Sequence, residues 1–530
     1  MVARNEAAKR TRLPVLALEL LKPEAYPERP AKVELRQTHI SYLFFTPKFV
    51  YKVKKPVNFG FLVFTTLKKR LHFCQEEVRL NRRLSKGIYL GVVRITRRNS
   101  GFRIAGKGKA VEYAVKMRRI PERRILEHML LKNKVTGRTL GRVARAIASF
   151  HKKAKTSAHI RRYGSLEAVK ANTAENFSQT KAQIKKTLSK KLYEKINAFA
   201  FGFLNDNAAL FAARVKGGFI RDCHGDIHAE HISVSKRIDI IDCIEFNRRF
   251  RYSDTVSDMA FLLMDMDFLG RADLSRALEE EYFKASRDAG ARAVLNFYKC
   301  HMAYVRGKVE GFKYMESTVE EKDRFASYIS SILHYRLAGL YAEGGFRPIM
   351  VIVRGLSGSG KSTVAKAVSN ALNAVLLSSD VIRKKLAGAV PSKHRFEGFK
   401  KGIYSEEMTE RTYSVMAEKA FVRLASGRNL VLDATFSKTR FVLDAVDAAK
   451  GAGADLRIIE CACADDVAME RISKRLEQAP RKKGPVSDMR PCLFRLQKNG
   501  FEGIPLPSIS VDTSRTTDEC VRLALKKLFC

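Results

Sequence analysis

The chain has 530 residues, too many for one ordinary hydrophobic core, which predicts two to four domains with enough interior to fold without disulfides. Its 29% charged and 45% hydrophobic fractions are globular values, and no apolar run approaches the ~20 residues needed to cross a bilayer, which excludes a membrane-spanning class. Lysine and arginine outnumber the acidic residues 99 to 55, a net charge of +44 that favours polyanionic partners such as nucleic acid, yet the excess is spread along the whole chain without a dedicated binding motif. The N-terminal stretch lacks an adequate apolar segment followed by a small-residue cleavage site, and the nine cysteines form no CxxC pair, so a cytoplasmic location is expected.

In chain order, THISYLFF (38–45) and FVYKVKKPV (49–57) read as strands from their β-branched and aromatic content. LKKRLHFCQEEVRLNRRL (67–84) repeats apolar residues at helical spacing, and AVEYAVKMRRI (110–120) returns to strand. From about Pro121 to Glu343 the pattern is mainly helical, as in GRVARAIASFHKKA (141–154) and DTVSDMAFLLMDMDFLG (254–270), with the short extended run IDIIDCIEF (238–246) embedded. Gly344, Gly345 and Pro348 break that pattern, and the domain boundary is expected there, dividing the chain into 1–345 and 346–530. The second part alternates strand and helix, as a parallel α/β sheet does. Cys461 and Cys463 alternate in an apolar run that reads as a buried strand end; without partner ligands, core packing explains them better than a metal.

The segment GLSGSGKST satisfies G-x-x-x-x-G-K-[ST] and lies between the apolar run IMVIV and the helical run TVAKAVSNAL. Gly355, Gly358 and Gly360 allow the backbone amides of Leu356, Ser357, Ser359 and their neighbours through Thr363 to close around phosphates at a helix N-terminus. Lys361 supplies a point charge between the terminal phosphates of ATP, and Ser362 a hydroxyl for Mg2+. Downstream, NLVLDATF ends a second apolar run in Asp433, a partner for the same ion, while LSSDVIRKKL offers Asp380 as a base for an acceptor hydroxyl and Arg383 for an acceptor phosphate or carboxylate. A simple helix N-cap is the competing explanation of Asp380. The basic run MERISKRLEQAPRKKGPVSDMRP (469–491) carries Arg471 and Arg475, either of which can close over ATP as a lid or merely face solvent. This part resembles the small P-loop kinases, a group that includes gluconate kinase, zeta-toxin-like kinases and the kinase part of polynucleotide kinase.

In the first part, HGDIHAEHISVSKRIDIIDCIEFN (224–247) resembles the H-G-D-x-x-x-x-N loop and metal-binding strand of aminoglycoside phosphotransferases. The whole order is similar to bacterial bifunctional proteins that join an aminoglycoside phosphotransferase-like domain to an ATP-binding one. The resemblance implies a protein-kinase-like fold, with a small lobe at about 1–120 and a large lobe at about 121–345, followed by a P-loop domain. It also implies Asp226 as the acceptor's base, Asp242 as a Mg2+ ligand, His224 and Asp258 as braces of the loop, and Lys52 or Lys54 as the phosphate-binding lysine paired with Glu77. His228 reads as structural or solvent-facing. His231 departs from the pattern, which has asparagine there: an imidazole nitrogen is a poor substitute for an amide oxygen on Mg2+, and the site is expected to accept Mn2+.

The expectation that follows is a phosphotransferase using ATP and a small hydroxyl-bearing substrate. Two other classes are compatible with the same residues: a regulatory nucleotide-binding protein with a kinase-like sensor, and a nucleic-acid 5′-hydroxyl kinase.

Overall fold

The computed structural model describes residues 13–529 except 61, 99–100, 318, 392–394, 396, 399 and 479–487. Strands β1 (Glu34–Gln37), β2 (Ser41–Phe45), β3 (Phe49–Lys54), β4 (Tyr89–Arg98), β5 (Gly101–Ile104) and β6 (Ala110–Arg118) form one sheet in the order β1-β2-β3-β6-β4-β5, antiparallel throughout. Side chains alternate across it. Tyr51 and Val53 of β3 pack with Phe44, Ile95 and Ala114 on one face, while Val50 meets Cys74, Val78, Val115 and Met117 on the other. Lys52 and Lys54 share parity with Val50, which puts both beneath the helix Leu67–Asn81 that covers this face. Thr66 starts that helix by accepting a hydrogen bond from the Lys69 amide.

The large lobe is helical. Leu140, Val143 and Ile147 of Gly137–Lys153 meet Met259, Leu262 and Leu263 of Thr255–Phe268 in a single core, which the long helices Ala291–Met315 and Glu321–Ala342 complete. Against it lie two short antiparallel ribbons, β7 (Ile220–Asp222) with β10 (Tyr252–Asp254) and β8 (Ile232–Val234) with β9 (Ile238–Ile240). The loop from 223 to 231 connects β7 to β8, and so is anchored at both ends by ribbon.

The last third builds a parallel sheet from β11 (Ile349–Arg354), β12 (Val375–Ser378), β13 (Leu430–Asp433), β14 (Asp455–Ala462) and β15 (Ile509–Asp512), ordered β12-β13-β11-β14-β15. Every residue of β11 is buried, the pattern of a central parallel strand covered on both faces. The fold class is therefore mixed α/β, a kinase-like two-lobed fold followed by a P-loop sheet. No helix among the described residues is long and apolar enough to cross a membrane.

One helix belongs to two cores. On Glu321–Ala342, Tyr335, Leu337, Ala338 and Tyr341 pack in the large lobe, whereas Ile329 and Leu333 pack with Ile349, Val351, Val364 and Leu525 of the parallel-sheet domain. Arg336 of the same helix donates to Asp455 at 2.8 Å, and His334 stacks on Phe268 with ring centroids 3.7 Å apart. Leu333→Ala should cost about 2–5 kcal/mol, the usual range for a buried leucine. Because the helix serves both cores, the protein should still unfold in one calorimetric transition; two separate transitions in the wild type would show that the shared helix does not couple them.

Candidate functional site

The kinase-like site forms where the six-stranded sheet faces the loop 223–231. Asp258, in the first turn of Thr255–Phe268, accepts hydrogen bonds from the amides of His224 at 2.8 Å and Gly225 at 2.7 Å, and its Oδ2 lies 3.2 Å from His151 Nε2. His151 Nδ1 is in turn 2.8 Å from the Tyr282 hydroxyl. Gly225 has φ +87°, and a Cβ there would stand 2.7 Å from the Phe250 carbonyl oxygen, so only glycine fits. The loop is thus held from behind, and Asp226 remains partly exposed at its front, with 29% of the side chain accessible.

Asp242 follows β9 in the left-handed region, φ +63°, with its amide donating to the Tyr89 hydroxyl at 3.1 Å. This turn brings its carboxylate to Lys52, whose Nζ lies 2.6 Å from Asp242 Oδ1 and 2.9 Å from Glu77 Oε1. Lys54 reaches the other oxygen of Glu77 at 2.6 Å and also pairs with Glu245. The lysines are therefore unlike. Lys54 is fully enclosed by two carboxylates and the Phe64 ring, whereas Lys52 touches Asp242 at the mouth of the cleft. Glu245 had no part in the sequence reading; the only signal was its position in the run that also carries Asp242.

His231 lies inside the site: Nδ1 is 3.0 Å from the Asp226 carbonyl oxygen, and Nε2 is 3.7 Å from Asp242 Oδ2. His228 is not solvent-facing. It is buried, stacked on Phe261, with its ring centroid 3.9 Å from that of His231 and Nε2 3.7 Å from Asp226 Oδ2. Burial alone would lower its pKa, but the Asp226 carboxylate outweighs this and raises the imidazole to about 9.

The second site lies at the C-terminal edge of the parallel sheet. The loop after β11 turns through Gly358 at φ +81° and Gly360 at φ +77°, and a Cβ on Gly358 would stand 2.4 Å from the Ala468 carbonyl oxygen. The helix Lys361–Ala371 begins at the end of this loop, with the Lys361 ammonium folded back 3.4 Å from the Leu356 carbonyl. Ser362 Oγ donates to Asp433 Oδ1 at 3.2 Å. Asp433 is buried at the end of β13, which raises its pKa against the opposing pull of Lys361 and the Ser362 hydrogen bond.

Asp380 sits in the first turn of Ser379–Leu386, but the cap position belongs to Ser378, so capping does not account for its carboxylate. Its Oδ1 is 3.4 Å from Arg383 Nη1. Arg383 is buried against the Tyr404 ring, and its Nε has no hydrogen-bond partner among the described residues. Tyr404 itself donates to Asp488 at 2.7 Å; neither residue stood out in the sequence, because only folding brings them together. The two arginines of the basic helix differ. Arg471 is fastened to the Thr513 carbonyl at 2.7 Å and hydroxyl at 3.2 Å, whereas Arg475 has buried Nε and Nη2 atoms without partners among the described residues. The basic loop that follows, 479–487, lies outside the described residues.

These two folds and sites define a chain in which a kinase-like domain is fused to a P-loop kinase-like domain. Residues 350–490 match the model of the AAA domain family. An uncharacterized protein of Mycobacterium tuberculosis is 28% identical over 445 residues, 84% of this chain and 86% of its own length. Among solved structures, a gluconokinase from Sinorhizobium meliloti is 22% identical, covering 34% of this chain and 93% of its own with a TM-score of 0.25. A choline/ethanolamine kinase family protein from Mesorhizobium loti is 13% identical, covering 60% and 96% with a TM-score of 0.34.

The buried network makes a direct prediction. Glu77→Ala removes the carboxylate that the two lysines share and should cost about 3–5 kcal/mol in urea denaturation. Glu76→Ala, which removes only the outward pair with Arg79, should stay within about 0.5 kcal/mol. Equal effects would show that Glu77 does not hold the lobe together.

Proposed function

We propose that the chain is an ATP-dependent phosphotransferase whose C-terminal half moves the terminal phosphoryl group of ATP to a hydroxyl of a small molecule. The observation that carries this reading is convergence: Lys361, Ser362, Asp433, Asp380 and Arg383 come from the ends of three neighbouring parallel strands, the edge where such sheets bind ligands. In this reading the backbone from Gly355 to Thr363 cradles the phosphates and Lys361 moves from the Leu356 carbonyl to their charge. Asp380 takes the acceptor's proton as its oxygen attacks, while Arg383 and Arg475 offer N–H groups that have no partner among the described residues to anionic oxygens of the acceptor and of the transferring group. Ser362 and Asp433 are hard oxygen donors side by side and fit Mg2+, which they would hold there and which would supply positive charge to the ATP phosphates.

For the N-terminal half, the contacts support Lys52 as the phosphate-facing lysine and Lys54 as part of the scaffold, with Asp226 facing the acceptor. The imidazoles at 228 and 231 do not match Mg2+, which takes oxygen ligands. The eight cysteines described are all free thiols, which supports a reducing compartment, and we assign the protein to the cytoplasm.

Two substitutions in the full chain test the C-terminal reading, with γ-labelled ATP and a metabolite extract as the source of acceptors. Lys361→Ala should reduce labelled product by about a hundredfold or more. Asp380→Asn should lower transfer by about 10²–10⁴-fold and leave nucleotide affinity nearly unchanged, because the amide keeps the shape but takes no proton. Transfer within about threefold of wild type in Asp380→Asn would remove the base from the mechanism.

A further inference from the structure

We propose that Asp226, His228 and His231 form a site for a transition-metal dication of the Zn2+, Mn2+ or Co2+ class, with Glu230 and Asp242 at its rim. The candidate ligand atoms of the three residues all lie within 4.8 Å of one another. Imidazole nitrogens and carboxylate oxygens face one another in pairs. His228 Nε2 is 3.7 Å from Asp226 Oδ2 and 3.6 Å from Glu230 Oε1, while His231 Nε2 is 3.9 Å from Glu230 Oε1 and 3.7 Å from Asp242 Oδ2. Ligand atoms held about 2.0–2.2 Å from one dication are themselves about 3–3.6 Å apart, so the pairs just given would close by a few tenths of an ångström, and atoms at the 4.8 Å limit of the cluster by about 1 Å or more.

The hydrogen bonding orients one of the rings. His231 Nδ1 is 3.0 Å from the Asp226 carbonyl, an acceptor only, and 3.5 Å from Asp226 Oδ2; with Nδ1 carrying the proton, the Nε2 lone pair is turned toward Glu230 and Asp242. Metal-bound histidines are oriented in this manner, by a backbone carbonyl on the nitrogen that does not ligate. The neighbouring backbone is fixed as well, since the Ala229 amide donates to Asp265 at 2.7 Å and the His228 ring is stacked on Phe261. Two imidazoles and a carboxylate suit borderline cations, whereas Mg2+ prefers oxygen ligands and keeps its water. Coordination would engage the Asp226 carboxylate itself. The metal would then orient the acceptor side of the kinase-like cleft instead of only bridging nucleotide phosphates.

The proposal shares Asp226 and Asp242 with the kinase-like reading of the N-terminal half and rests on that reading for its purpose, but its test uses no nucleotide. The full chain, stripped with chelator, is titrated with Co2+ and followed by visible d–d absorption and metal content. One equivalent should bind, be displaced by Zn2+, and resist a large excess of Mg2+. His228→Ala and His231→Asn should each weaken binding by about tenfold or more, and the asparagine variant keeps a side chain that kinase loops carry at this position, so it guards against misfolding. Loss of that equivalent's displacement by Zn2+, ready displacement by Mg2+, or wild-type affinity in both variants would overturn the proposal and leave a histidinium–carboxylate ion pair only. Nucleotide affinity, measured separately, fails independently: metal binding without ATP binding refutes the phosphotransferase reading and not the metal site.

Discussion

The kinase-like half is organised around one buried carboxylate. Glu77 is inaccessible to solvent and takes a lysine on each oxygen, Lys52 on one and Lys54 on the other. Taking such charges out of water is costly, and the arrangement is stable only because every charge finds an opposite within hydrogen-bonding distance. Those partners come from three places in the chain: strand β3, the helix over the sheet, and the turn after β9 that supplies Asp242 and Glu245. The ion-pair network therefore sets the position of the sheet against the loop that carries Asp226. It also separates two lysines that the strand pattern makes equivalent, one enclosed and one at the cleft.

The two sites are built differently. In the C-terminal half the backbone supplies most of the site: glycines in the left-handed region let a loop curl at a helix N-terminus, with Lys361 beside it. In the N-terminal half, side chains on separate elements must be brought together, so the site depends on packing between lobes. Helix Glu321–Ala342 joins these arrangements, because its Tyr335 and Tyr341 lie in one core and its Ile329 and Leu333 in the other. A displacement of this helix is felt in both, since close-packed interiors transmit small shifts.

The loop between β7 and β8 is held by one set of residues and presents another to the cleft. Asp258 and Gly225 hold the backbone through amide contacts and a left-handed turn that are indifferent to what residue 231 is. The imidazoles at 228 and 231 occupy the space in front, where they meet Asp226 and Asp242. The contacts that hold the loop are thus distinct from the side chains that face the cleft.

The elements that a local pattern can specify were legible: strands β2 and β3 from β-branched and aromatic content, β6 from the return to such a run, the helix over them from its periodicity, and the loop from Gly355 to Ser362 from glycine spacing between a strand and a helix. Asp226, Asp242, Asp380 and Asp433 were also visible, because each stands at a fixed distance from a recognisable local feature. The sequence could not rank Lys52 above Lys54, since both have the same parity and chemistry. It did not single out Glu245, Tyr404 or Asp488, or place His228 against Asp226, since those relations join elements whose approach no local spacing encodes. Nor could it tell Arg471, tied to Thr513, from Arg475, or show that one helix serves two cores. By itself the sequence determined the two folds and where each motif stands in them, because periodicity and backbone freedom are local properties. Which charges are paired, which remain available to a ligand and which helix couples the halves were decided by tertiary structure, because burial and electrostatics depend on distances between residues far apart in the chain.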